Sequence, residues 1–324
     1  MATLKELSTR KDPLTGGHRA CSGCGFPQIV RMVCLASKYP VVVVAATGCL
    51  EVTTTIFPYS AWTVPFVHNA FENAAATLSG IEAAYHALSK KGKISKKINF
   101  VAFGGDGGTY DIGLQSLSGA MERGHDLLYV CYNNQAYMNT GVQRSGATPT
   151  GANTTTEPAG KIKQGKMEKR KDLTEIIVAH NIPYAAQATV GFWADLTRKA
   201  EKAFSITGPK FINVLQPCRL GWQYKPEETM AIGRLAAETC FWPLYEVENL
   251  PGRQAGGKYK VTYKPKEKKP AVDFLKKQDR FRHLFKPQNA GLLEEIQKEI
   301  DLRWQELLLK EASSSKALAK EEKA

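Results

Sequence analysis

Gly104-Gly105-Asp106-Gly107-Gly108-Thr109-Tyr110-Asp111, then a helical run, then Leu127-Leu128-Tyr129-Val130-Cys131-Tyr132-Asn133-Asn134, is the stretch that decides the fold. The apolar run from Ile98 to Phe103 leads into it. The pattern is a buried strand ending in glycines, a helix, and a second buried strand ending in paired asparagines. Parallel strands joined by a helix put both C-terminal ends on one edge of a sheet, where ligands of open α/β sheets bind. Glycines allow close backbone approach, and the start of the helix supplies N–H donors for an anion. Asp106 offers a carboxylate and Asn134 an amide oxygen, which suit magnesium, an ion that completes its shell with phosphate oxygens and water. The stretch reads as a cradle for a divalent cation and a diphosphate. A lone Gly-Asp-Gly fits an ordinary turn; the asparagine pair closing the next strand is what argues for a site.

Upstream, Val41 to Ala46 reads as a buried strand ending in Thr47-Gly48-Cys49, and Asn69 to Lys90 as a long helix of small residues. Thr53 to Pro65, rich in Thr, Pro and aromatics, reads as a loop. Downstream, Gln135 to Gly141 places a backbone carbonyl within reach of the same cation, and 141–160 reads as a long exposed loop. Helix 172–180, strand 184–189, helix 193–205 and strand 211–215 restore the alternation, the last strand ending in Gln216-Pro217-Cys218. Alternating strands and helices predict an α/β fold, mainly a parallel sheet with helices on both faces.

The chain has seven cysteines and no signal-peptide shape at Met1 to Glu6, which argues against a disulfide framework and for the cytoplasm. Cys21-Ser22-Gly23-Cys24-Gly25 sets two thiolates on a glycine-bearing turn ahead of the helix from Pro27 to Lys38. Cys49 and Cys218 follow strands in the way Asp106 and Asn134 do. Cys34, Cys131 and Cys240 read as packing residues. Four thiolates from three segments suit zinc or a [4Fe–4S] cluster, and spacing leaves both open.

Formal net charge is +13. Residues 253–287 hold 12 Lys and Arg against 3 Asp and Glu, so this segment carries most of the excess. No zinc-finger spacing or RNA-binding signature accompanies it, so nucleic acid is not expected. A solvated arm, or a surface for an acidic partner, fits better. No apolar run approaches a membrane span. The division is thus 1–240 as the cofactor-binding domain, 241–310 as an extended basic arm with a final amphipathic helix, and 311–324 as a disordered tail. The helix carries Leu293, Ile296, Ile300, Trp304 and Leu307 on one stripe.

Gly105-Asp106-Gly107 with Asn133-Asn134 resembles the thiamine diphosphate motif. Joined to Cys21-Ser22-Gly23-Cys24-Gly25, Thr47-Gly48-Cys49 and Pro217-Cys218, it resembles the beta subunit of the 2-oxoacid:ferredoxin oxidoreductases from about residue 15 to 310. The resemblance implies thiamine diphosphate and Mg2+, with Asp106, Asn134 and the Ala136 carbonyl on the metal. It puts Gly105, Gly107 and Gly108 against the diphosphate, Gly48 and Cys49 beside the cofactor, and Asn139 near thiazolium and substrate. It resolves the cysteines, Cys21, Cys24, Cys49 and Cys218, as ligands of a [4Fe–4S] cluster. It further implies CoA-dependent oxidative decarboxylation, pyruvate being the foremost substrate, with electrons passing to ferredoxin. Partner subunits of alpha, gamma and delta type would supply the activating glutamate and further clusters. The same family admits 2-oxoisovalerate, 2-oxoglutarate and oxalate. A non-redox thiamine-dependent decarboxylase with a structural zinc is the rival reading.

Overall fold

The computed structural model describes residues 2–249 and 257–321, with side chains to residue 315. Eight strands form one sheet: β1 Val41–Ala46, β2 Phe66–Asn69, β3 Asn99–Gly105, β4 Leu128–Asn133, β5 Tyr184–Thr189, β6 Lys210–Leu215, β7 Tyr245–Glu248 and β8 Lys258–Val261. Their order is β2-β1-β3-β4-β6-β5-β7-β8. Pairing is parallel from β2 through β5 and antiparallel at β5–β7 and β7–β8.

The central strands are mostly apolar and buried along their whole length because both faces are covered, as parallel sheets require. Every residue of β4, β5 and β6 is buried. On one face the helices Phe26–Ala36 and Trp193–Ser205 pack against each other and the sheet, bringing Ile29, Val30 and Val33 together with Leu196, Ala200 and Ala203. On the other lie Ala74–Lys90, Leu114–Glu122 and Leu173–Val178. Val41–Ala46 and Tyr184–Thr189 coincide with the strands read from sequence. The short edge strand β2 was not anticipated; its residues are only partly buried, so it carries little apolar signal.

The C-terminal third differs from the arm expected of it. β7 and β8 extend the same sheet, so no boundary falls at residue 240. Phe274, Phe281, Leu284, Ile296 and Ile300 join Trp222 and Trp242 in a third apolar cluster. The basic count of this segment hid its alternating apolar positions, which pack inward while lysines face water. Residues 250–256 of the arm lie outside the described residues. The final helix runs from Ala290 to Glu321, past the point where a disordered tail was expected. Its extension is anchored where Ser314 Oγ accepts the Tyr259 amide at 3.1 Å and Glu311 accepts the Val261 amide at 2.8 Å. Residues 322–324 of that tail lie outside the described residues. Among the described residues, no helix is long and apolar enough to cross a membrane.

Candidate active site

β1, β3, β4 and β6 are neighbours in the sheet, and their C-terminal ends carry Cys49, Asp106, Asn134 and Cys218 in turn. Helix Phe26–Ala36 leads into β1 through a short link, which returns the Cys21–Gly25 turn to the same edge. Residues widely separated in sequence are thus gathered at one place by the topology.

A cavity with about 320 Å³ of empty space opens here. Its lining includes Gly48, Cys49, Asp106, Asn134, Ala136 and Asn139, with Gly105, Gly107 and Gly108 along the wall. Tyr137 closes over Gly107, donating its hydroxyl to the Gly107 carbonyl at 2.9 Å. A Cβ at Gly107 would lie 2.3 Å from the Tyr137 ring, so only glycine fits. The chain after Asp106 does not enter an α-helix directly. Gly107–Ile112 is a π-helical turn, a wider geometry that recurs at functional sites.

Asp106 is fully buried. Ser145 Oγ donates to its Oδ2 at 2.5 Å and the Asn134 amide to its Oδ1 at 3.1 Å. Burial pushes the Asp106 carboxyl up to about 7, although Ser145 and the Asn134 amide favour its charged form. Asn134 Oδ1 lies 2.8 Å from the Ala136 carbonyl oxygen and 2.9 Å from Asp106 Oδ1. Three acceptor oxygens in contact repel one another unless the amide turns over or a cation sits among them. Adjacent corners of a magnesium octahedron are about 2.8–3.0 Å apart, given Mg–O distances of about 2.0–2.1 Å. The oxygens therefore match the edges of such an octahedron and could hold the ion.

The four cysteines read as ligands also converge. Burial raises Cys24 and Cys49 to about 12, and neighbouring Cys218 and Cys21 add to the rise in both. Cys218 is likewise raised, first by burial, with Cys21 contributing. The Asn139 side chain opposes the rise at Cys49 through a hydrogen bond, linking the cavity to the thiols. Gln216 Nε2 donates to Cys24 Sγ at 3.4 Å. The Cys21–Cys24 turn needs Gly23, which has φ of 74° and whose Cβ would meet the Pro226 carbonyl oxygen at 2.3 Å. Among the described residues, no three His, Cys, Asp or Glu side chains close on one point as a single ion requires. Cys34, Cys131 and Cys240 are buried in the apolar clusters.

The 141–160 loop is not the exposed segment expected. Ser145, Ala147, Thr148, Ala152 and Thr154 are buried, and the loop braces the site from below. Thr148 Oγ1 donates to the Gln135 carbonyl at 2.7 Å, and the Gly146 amide to Asp111 Oδ2 at 2.7 Å. Ser145, Gln216 and Tyr132 were missed from sequence, where nothing in a Thr/Gly-rich run or a strand interior marks them. The Tyr132 hydroxyl, buried near the Leu50 amide, makes no well-formed hydrogen bond. A larger cavity lies beneath the final helix. Its charged residues pair with each other, as Arg303 with Glu299 and Lys310 with Glu175, and none of the expected site residues lines it.

Strand ends that gather a carboxylate, an amide and glycines over a cavity suit a diphosphate held through a cation. Residues 46–214 match the family described as thiamine pyrophosphate enzyme, C-terminal TPP binding domain. The chain is 50% identical to pyruvate synthase subunit PorB of Thermotoga maritima, covering 97% of each chain. It is 53% identical to the PorB subunit of Methanocaldococcus jannaschii, over 90% of this chain and 95% of that one. Ketoisovalerate oxidoreductase subunit VorB of Pyrococcus abyssi is 44% identical over 90% of this chain and 91% of its own. Among solved structures, 2-oxoglutarate:ferredoxin oxidoreductase from Magnetococcus marinus aligns with a TM-score of 0.54 at 17% identity, covering 87% of this chain and 94% of that one, and shows the shared fold. The chain belongs to the thiamine-dependent 2-oxoacid:ferredoxin oxidoreductases, in the family of their PorB-type beta subunits.

Proposed function

We propose that the chain serves a pyruvate:ferredoxin oxidoreductase, with a magnesium–thiamine diphosphate site and a [4Fe–4S] cluster side by side on the sheet edge. The observation that carries this is the convergence of the Asp106 carboxylate, the Asn134 side-chain amide and the Ala136 carbonyl, within 2.8–2.9 Å of one another across the amide, on the wall of a glycine-lined cavity. Asp106, Asn134 and the Ala136 carbonyl would hold magnesium; Gly105, Gly107 and Gly108 would face the diphosphate; Gly48 and Cys49 would flank the cofactor. Cys21, Cys24, Cys49 and Cys218 would hold the cluster. That these thiols raise one another supports a shared group, and four thiolates are the ligand set of a [4Fe–4S] cluster.

Thiamine diphosphate, when bound, supplies the carbanion stabilisation that 2-oxoacid decarboxylation needs, and a cluster supplies a one-electron outlet. The chain's own residues orient and insulate. Ser145 holds the Asp106 carboxylate in place, and Tyr137 seals the glycine turn. Asn139 stands between the cavity and Cys49, placed to hydrogen-bond substrate or thiol. Pyruvate is the favoured 2-oxoacid because the relatives at 50% and 53% identity are pyruvate synthase subunits. Alpha, gamma and delta type subunits, coenzyme A and ferredoxin complete the reaction, and the cytoplasm is its place.

A panel of 2-oxoacids offered anaerobically to the reconstituted complex, with and without coenzyme A, tests this. Dye reduction fastest with pyruvate and dependent on coenzyme A is expected. Faster reduction with 2-oxoisovalerate would transfer the substrate assignment. Thiamine-independent reduction would sink the reading.

A further inference from the structure

Arg280 is the cation of the C-terminal segment that reaches the site. It lies on the 3-10 turn Asp279–Phe285 and is 4% exposed. Its Nη2 donates to Gln135 Oε1 at 2.6 Å and its Nε to Gln278 Oε1 at 2.9 Å. The guanidinium stacks 3.9 Å from the centroid of Trp222. Among the described residues, no carboxylate lies within ion-pair distance of it. A buried charge without a counter-ion is costly, and one is kept where something else offsets it. The negative groups that face it are Cys218, Tyr224 and Asp106 when ionised.

Its contacts lead to both halves of the site. Gln135 sits between Asn134 and Ala136, whose side-chain amide and carbonyl meet 2.8 Å apart beside Asp106 at the proposed cation position. It has φ of 67°, a left-handed conformation that a non-glycine residue keeps only when its surroundings enforce it. Arg280 grips its side chain, Thr148 its carbonyl, and Asn133 Oδ1 accepts its amide at 3.0 Å. Trp222, beneath the guanidinium, donates its indole N–H to the Asn134 carbonyl at 2.8 Å. Trp222 also closes a helical turn whose backbone begins at Cys218, donating its amide to the Cys218 carbonyl at 2.8 Å. One guanidinium thus bears on the turn that presents the cation ligands and on the turn that carries a cluster thiol.

We propose that Arg280 is a positioning residue with two effects: its fork fixes the Asn134–Gln135–Ala136 turn, and its charge raises the reduction potential of the adjacent cluster. The second effect has a definite sign. A cluster gains negative charge on reduction, and a buried positive charge nearby stabilises the reduced form more than the oxidised one. This deepens the functional reading above and rests on it. Arginine keeps its charge even where burial draws its pKa down, because its ordinary value is so high. Lysine would keep the charge and lose the planar fork; methionine would keep much of the apolar stem and lose both.

The test uses the anaerobically reconstituted complex with Arg280→Met, Arg280→Lys and, as a surface-charge control, the exposed Arg282→Met. Two quantities are read: the potential of the cluster by EPR-monitored redox titration, and the magnesium concentration that half-saturates thiamine diphosphate binding by calorimetry. Arg280→Met is expected to move the potential negative relative to wild type and Arg282→Met, and to raise the magnesium requirement about tenfold, as loss of a supporting contact does. Arg280→Lys is expected to hold the potential while raising the magnesium requirement by a similar factor. A potential in Arg280→Met equal to that of Arg282→Met would overturn the electrostatic role. An unchanged magnesium requirement in Arg280→Lys would overturn the role of the fork; if Arg280→Met does not assemble, Arg280→Gln, which also removes the charge, decides the electrostatic role by the same comparison with Arg282→Met. A wild-type complex without any cluster signal would instead overturn the functional reading.

Discussion

Asp106 and Glu246 are both fully buried carboxylates on one sheet, and the chain treats them in opposite ways. Burial alone would raise Glu246, but Arg198 and Lys202 outweigh it, and the Tyr184 hydroxyl donates at 2.9 Å, so it stays below the ordinary glutamate range. Asp106 has hydrogen bonds but, among the described residues, no cation in ion-pair contact, and burial lifts it to about 7. Two buried lysines repeat the first pattern, Lys199 pairing with Asp195 and Lys210 with Asp126, whereas Lys166, behind the site, donates to backbone carbonyls. Arg280, at the site, repeats the second. Glu246, Lys199 and Lys210, away from the site, are satisfied inside the chain and serve the fold. Charges at the strand ends have no ion partner among the described residues, which suits the bound group proposed there.

The contrast can be broken most sharply at the thiols. Cys218→Ser in the reconstituted complex should abolish the visible absorbance of the four-cysteine cluster and its electron transfer. Cys34→Ser, in the apolar layer of helix Phe26–Ala36, should leave both intact. Equal loss in the two variants, read by anaerobic absorbance and iron content, would mean that the cysteines do not divide as described. Next in size, Asp106→Asn should lower thiamine-dependent turnover by about 100-fold or more, since the carboxylate proposed to hold the cation is neutralised. Ser145→Ala removes only the brace on that carboxylate. It should weaken magnesium affinity about tenfold, with turnover recovering at saturating magnesium.

Glu246→Gln supplies the opposite pole. Turnover per assembled complex should be unchanged, while stability near neutral pH falls by about 1–3 kcal/mol as Arg198 and Lys202, both partly exposed, lose their partner. The sign with pH is fixed by linkage. A carboxylate held below its unfolded value contributes stability above that value and loses it as pH falls. The gap between wild type and variant, measured by chemical denaturation, should therefore close as pH drops below about 4. A gap that widened in acid would contradict the pairing.

The strand ends were legible because their signal is local: apolar runs such as Val41–Ala46 fix a buried strand, and glycine, aspartate and asparagine mark where it stops. Asp106 and Asn134 could be named because each directly follows a strand, and Cys49 and Cys218 because each lies three residues beyond one. What escaped was the support around them. Ser145 reaches Asp106 across 39 positions, and Arg280 reaches Gln135 across 145. No periodicity encodes contacts of that span, and an arginine among many lysines carries no mark of burial. The π-helical turn after Asp106 was equally hidden, since its i→i+5 bond from Gly113 to Gly108 depends on backbone packing. The C-terminal segment was misjudged because charge count dominated a weaker alternation, in which Tyr259 and Val261 face inward between exposed lysines.

The central claim is that a cation–diphosphate site and an electron outlet share the edge formed by β1, β3, β4 and β6. It is tested most directly by adding pyruvate and coenzyme A to the anaerobic complex without ferredoxin and following the cluster by EPR and visible absorbance in wild type and Asp106→Asn. Rapid reduction of the cluster is expected in wild type, dependent on thiamine diphosphate and magnesium, and little in the variant. A colourless, zinc-bearing wild-type protein, or equal cluster reduction in wild type and Asp106→Asn, would contradict it.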